Sequence, residues 1–341
     1  MESFAGCGAG DGERVAQKKG KLGSGKAGAG KVMPGSVFER AMRERTTPAA
    51  TVSGRWLLMA GGVAIAGAAV CAWGALCLLF WQGSWQLLYH PVSAVARTPA
   101  SIGLPYDPVG FASTEAGEPR LKGWWIPAAP DARYSTYTVL YLHGQKGNLA
   151  DTVDALGSLH SLGVNILAFD YRGYGQSQFV HPSEARWRED AEWALRYLTG
   201  TRHVAAGAIV LDGKDLGADL ALEVAAAHAE LAGVVLESPI DSPVDAIFND
   251  SRSKLVPAHL LVSDRLDADQ AGSKLLIPSL WLLASPALNN ALDRAKHPAG
   301  YDRITARKTL VELYPGPTTD KQFVEYYTRW IDDLPKKMST H

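Results

Sequence analysis

The chain has 341 residues, 47% of them hydrophobic and 20% charged, a balance that suits one large globular α/β domain with extensions. Its formal net charge of −1 provides no overall field for nucleic acid, which is not an expected partner. The cysteines are Cys7, Cys71 and Cys77, so beyond residue 77 neither a cysteine zinc site nor a disulfide framework can be built.

Charge is uneven along the chain. Residues 1–55 carry ten Lys/Arg against five Asp/Glu, and ten glycines fall in the first 35 positions. Such a segment cannot bury enough apolar surface to offset its ordering entropy, and a disordered basic tail is expected. Within it, "GKAGAGKV" (Gly25–Val32) approaches a phosphate-binding loop. Val32 stands where a hydroxyl would ligate magnesium and no strand precedes the motif, so no nucleotide cofactor is expected. Lys18, Lys19, Lys21, Lys26 and Lys31 either attract anionic lipid or only set topology.

Residues 56–81, "WLLMAGGVAIAGAAVCAWGALCLLFW", contain no charged residue. About 20 apolar residues cross a bilayer as a helix, so this run predicts one transmembrane helix, with membrane lipid as its partner. A cleaved signal peptide would be shorter and nearer the start; a buried core helix is the other alternative. Arg40, Arg43, Arg45 and Arg55 precede the run and no Lys or Arg follows until Arg97. That asymmetry places the N-terminus in the cytoplasm and the C-terminal domain in the periplasm or another extracytoplasmic space. Residues 82–97 read as a juxtamembrane linker, 98–335 as the domain and 336–341 as a tail.

Within the domain, short apolar runs at 122–128, 138–144, 165–173, 208–213, 233–239, 279–285 and 309–315 read as strands. Helical stretches fall at about 184–198, 216–229 and 320–334. Apolar strands separated by helices predict an α/β fold, a mostly parallel central sheet with helices on both faces. No internal repeat is visible. Trp124, Trp125, Trp187, Trp193, Trp281 and Trp330 sit at strand or helix positions and read as packing residues.

Four segments, in this order and spacing, resemble the α/β-hydrolase superfamily, in particular its membrane-anchored members with one N-terminal span. They are "LYHPVSAVARTPASIGLPYDPVGF" (88–111), "LYLHGQKGN" (140–148), "FDYRGYGQS" (169–177) and "GKDLG" (213–217). The resemblance implies that "GKDLG" is the sharp strand-to-helix elbow that carries the nucleophile. Gly213 and Gly217 flank it because the turn leaves no room for side chains, and Asp215 occupies the position usually held by Ser. It also implies oxyanion-hole backbone donors at Gln145 and Leu216, supported by the His143–Gly144 turn and by the Asp170 turn. Asp215 is expected to be ionised, favoured by the N-terminus of the following helix, with Lys214 exposed or acting as its partner.

The remaining triad positions depart from the pattern. The acid would fall near Leu288, with no carboxylate until Asp293; the histidine would fall near Pro317, Thr318 and Thr319, and no His lies between His297 and His341. Three readings follow. The first is a catalytically impaired homologue that binds a small molecule or protein at the elbow pocket. The second is a hydrolase of ester or related bonds using Asp215 or an unrecognised triad, as in haloalkane dehalogenases and epoxide hydrolases, which need a histidine to release the ester. The third is a membrane scaffold acting through the basic tail. No cofactor or metal is expected. His143 and Asp170 read as structural, and His181, His203, His228, His259 and His297 as surface or packing residues.

Overall fold

The computed structural model describes residues 52–284, 297–316 and 319–335. The tail through residue 51, the positions near Leu288 and Asp293, Pro317, Thr318 and residues 336–341 lie outside them.

The charge-free run forms helix α1, Gly54–Gly83, which is long and apolar enough to cross a membrane. All its residues before Cys77 are exposed, and Phe80 is buried. An apolar helix with no buried face suits hydrocarbon rather than water. Within residues 82–97, expected as a linker, the part through Pro91 packs against the domain, while residues 92–94, 96 and 97 are exposed. Leu88 and Tyr89 are buried, and His90–Pro91 pairs in parallel with Lys146–Gly147.

Eight strands form one sheet. In chain order they are β1 (Asp107–Ser113), β2 (Pro119–Ile126), β3 (Thr138–Leu142), β4 (Asn165–Asp170), β5 (Ile209–Lys214), β6 (Gly233–Glu237), β7 (Ser279–Ala284) and β8 (Lys308–Leu313). Their spatial order is β8-β7-β6-β5-β3-β4-β2-β1. The pairs β1–β2 and β2–β4 are antiparallel and the rest parallel, so β2 alone runs against the sheet. β1 was not legible as a strand, because its Asp, Pro and Gly residues and mostly exposed edge (only Phe111 is buried) break the apolar pattern. The central strand β3 is buried at all five residues, as expected where helices cover both faces.

One face of the sheet carries α3 (Glu184–Arg196) and α4 (Leu216–Ala227), with Trp187, Leu216, Leu220 and the buried Phe80 in one core. The other carries α2 (Val153–His160) and α5 (Thr319–Asp332), with Leu156, Tyr327 and Trp330 in a second core. Of the tryptophans read as packing residues, Trp124, Trp187, Trp281 and Trp330 are buried, and Trp125 and Trp193 pack against the first core. Helix starts follow local chemistry: Ser183 Oγ accepts from Arg186 N ahead of α3, and Asn148 and Asp151 form a capping box ahead of α2.

The chain leaves β3 toward β4 on one side, then crosses back to β5 on the other. At such a switch point the loops after the two flanking strands diverge and leave a crevice at the strands' carboxyl ends. The loops after β3 and β5 are the segments "HGQKGN" and "KDLG".

Candidate functional site

β5 ends at Lys214 and α4 begins at Leu216, so Asp215 alone makes the turn, with φ 52° and ψ −124°. A side-chain-bearing residue there is strained by about 1–3 kcal/mol. The flanking glycines are dictated by contact. A Cβ on Gly213 would lie 2.1 Å from the Gly217 carbonyl oxygen, and one on Gly217 would lie 2.2 Å from that of Leu142. The helix therefore presses against the end of β3, and the two loops meet. A Cβ on Gly144 would lie 3.1 Å from both Asp215 Cβ and Oδ2.

Asp215 makes no capping bond to the N–H groups of α4. Burial instead raises its pKa, with Lys214 and Lys146 pulling the other way. Lys214 is exposed, and its charge opposes that rise.

The two expected oxyanion donors are brought together in an unexpected way. Leu216 N–H donates to Gln145 Oε1 at 3.4 Å, so the side chain of one donor residue lies over the other donor. At that length the bond is weak and displaceable. The Gln145 carbonyl oxygen is held by His90 N (2.9 Å) and the Tyr174 hydroxyl (2.9 Å). His90, Lys146 and Tyr174 thus border the elbow, and the sequence alone did not single them out. The only available signal was their position inside or beside the quoted segments.

His143 is 1% exposed. Its ring lies against Tyr171 (centroids 4.5 Å), Tyr174 (5.3 Å) and Trp187 (6.3 Å). Nδ1 faces the Gly144 carbonyl at 2.8 Å; a carbonyl only accepts, so the neutral ring carries its proton there. Burial lowers its pKa to about 4. Nε2 has no hydrogen-bond partner, and Asp170 Oδ1 lies 3.7 Å away. Asp170 itself is pushed up to about 7 by burial. It accepts from Leu149 N at 2.9 Å, and its carbonyl accepts from Ser177 Oγ at 2.6 Å. His143 and Asp170 thus tie the loop after β3 to the loop after β4.

The other histidines named from the sequence have contacts or settings of their own. His181 stacks on Trp85, and His259 on Phe248. His228 bonds Glu192 and Glu230, and His297 bonds Asp302. His203 has φ 56° in the turn before β5. Among the described residues no histidine has a hydrogen bond to Asp215. A cavity of about 710 Å³ is lined by Trp81, Trp85, Phe179, Arg186, Leu261 and Asp264 among others, and by no elbow residue.

The strand order, the elbow and the two converging loops define the α/β-hydrolase fold, and this chain has it. No family model matches the sequence. Similar proteins include the alpha/beta hydrolase domain-containing protein WAV2 of Arabidopsis thaliana, 28% identical over 54% of this chain and 58% of that protein. An uncharacterised protein of Mycobacterium tuberculosis is 32% identical over 48% of this chain and 57% of its own length. Mouse alpha/beta hydrolase domain-containing protein 17C is 32% identical over 42% of this chain and 43% of that protein. The chain thus spans about half the length of the curated relatives it matches. Among solved structures, a Vibrio vulnificus alpha-beta hydrolase superposes with TM-score 0.52 at 20% identity, covering 68% of this chain and 82% of that one. A Pyrococcus furiosus esterase does so with TM-score 0.53 at 17% identity, covering 72% and 98%.

Proposed function

We propose that this protein is a membrane-anchored α/β-hydrolase-fold protein that acts by binding rather than turnover. The observation that carries this reading is the elbow itself: a carboxylate replaces the serine, and the Leu216 N–H beside it is covered by Gln145 Oε1. An oxyanion hole contributes to catalysis only if its donors face a charge that develops during the reaction. Here one donor is covered by a side chain, and a carboxylate stands beside it from the start. The ligand would be a small molecule or protein engaging the rim formed by Gln145, Lys146 and Asp215 after displacing the weak Gln145 bond. The apolar α1 would hold the domain at the membrane, with the basic tail in the cytoplasm and the domain outside it.

One observation favours a second reading. The strained elbow geometry is retained and Asp215 is only half buried, so a hydrolase with Asp215 as nucleophile is the alternative. It requires a base to release the ester, and among the described residues no histidine is bonded to Asp215. The test is a panel of p-nitrophenyl esters given to the full chain, Asp215→Ala and Asp215→Ser. No release above background from any of the three is expected. Turnover by the natural chain that disappears in Asp215→Ala would overturn the binding reading.

A further inference from the structure

The segment between β6 and β7 reaches back to α1. Trp73 Nε1 donates to the Leu255 carbonyl at 3.1 Å. A groove of about 230 Å³ runs beside that contact, lined by Leu76, Leu79 and Phe80 of α1 and by Arg252, Leu255 and Val256. The segment therefore lies alongside the last third of the helix and does not merely touch its end.

The position of Trp73 in the sequence gives this contact its meaning. It is the eighteenth residue of the 26-residue charge-free run, and eight more such residues follow it. Because about 20 residues are needed to cross the hydrocarbon, a span counted from the first residue of the run still extends through about Ala75. A later start places Trp73 deeper. In either register the Leu255 carbonyl is bonded to an indole inside the span.

The composition of the segment fits that depth. Leu255 is 60% exposed and Leu260 is 85% exposed. Single exposed leucines are ordinary on a soluble surface, so exposure alone carries nothing; beside a membrane helix it supplies contact with acyl chains. "SRSKLVPAHLL" (251–261) contains Arg252 and Lys254; Arg252 is paired with Asp250 just ahead of the segment, so Lys254 is the basic side chain available to headgroups. Long basic side chains can lay their stems along lipid and lift their charges to anionic headgroups.

We propose that Ser251–Leu261 is sunk into the membrane leaflet at the C-terminal end of α1, with Leu255 and Leu260 in contact with lipid acyl chains. This rests on the reading of α1 as the membrane anchor. Trp81 and Leu261 also line the 710 Å³ cavity, so immersion of the segment places that cavity beside the lipid.

The test uses the full chain with Cys7, Cys71 and Cys77 replaced by alanine, reconstituted in phosphatidylcholine–phosphatidylglycerol vesicles. Nitroxide labels are attached to Leu255→Cys, Leu260→Cys, Val63→Cys within α1, and Lys321→Cys on α5, across the sheet. Collisions with oxygen, which concentrates in lipid, are compared with collisions with a water-soluble nickel chelate. The expected oxygen-to-nickel ratio at positions 255 and 260 is several-fold above that at 321 and shifted toward that at 63. A lipid-like ratio at 63 with water-like ratios at 255 and 260 overturns the inference and leaves the anchor standing. A water-like ratio at 63 overturns the anchor and the inference together.

Discussion

Replacing Asp215 by glycine should stabilise the fold. At φ 52° and ψ −124° a residue with a Cβ is strained by about 1–3 kcal/mol, and glycine removes that strain. Against this stands the extra freedom that glycine gives the unfolded chain, about 0.5–1 kcal/mol. The substitution also removes a carboxyl group whose ionisation burial disfavours. A net gain of about 0.5–2 kcal/mol corresponds to a Tm increase of about 2–6 °C for a domain of this size. The measurement is thermal unfolding of the full chain in detergent, followed by circular dichroism, with Asp215→Asn and Asp215→Ala alongside. The ψ of −124° lies outside the left-handed helical well that asparagine tolerates, so asparagine and alanine both keep the strain and should show little gain. If Asp215→Gly melts at or below the natural chain, Asp215 makes contacts that outweigh its strain and the reasoning is wrong. If alanine matches glycine, the gain comes from losing the carboxylate and not from the backbone.

Gly217→Ala should cost at least about 3 kcal/mol, because its Cβ would lie 2.2 Å from a backbone carbonyl that cannot move aside; a soluble variant with unchanged urea midpoint would refute this. His143 has its pKa lowered to about 4, so the stability it contributes is present above its ordinary value near 6.5 and lost as pH falls toward 4. The urea-derived stability difference between the natural chain and His143→Gln should therefore be largest near pH 7 and shrink on acidification. Asp170 and Asp190 have the opposite sign. Burial pushes each to about 7, so the stability linked to them is present below about pH 4 and lost as pH rises toward 7; Asp170→Asn should flatten that decline. Asp190 is fully buried against Arg172, with Nε–Oδ1 at 2.6 Å. Asp190→Ala removes the acceptor of Arg172 N and Nε, while Glu189 and the Arg186 carbonyl keep Nη2 paired; it should cost about 1–3 kcal/mol, and a chemical-denaturation loss under about 0.5 kcal/mol, the size of a neutral surface change, would refute it.

The backbone plan of this protein was legible in its sequence because it depends on local pattern. Charge-free length determined α1, apolar runs between helical stretches determined the interior strands, and two glycines around Asp215 determined the elbow. Each is set by steric or solvation rules acting within a few residues. What the sequence did not reveal depends on side chains meeting across long separations. Gln145 covers the Leu216 N–H from 71 residues away, and α4 offers Asp215 no capping bond despite its position at the helix start. Burial of His143 in a box of Tyr171, Tyr174 and Trp187 lowers its pKa, which no local motif encodes. Leu255 bonds Trp73 across 182 residues, joining a loop that carries no motif to the helix expected to be the anchor. Local rules fixed where the chain turns, and only tertiary packing decided which polar groups found partners and which apolar surfaces were left facing outward.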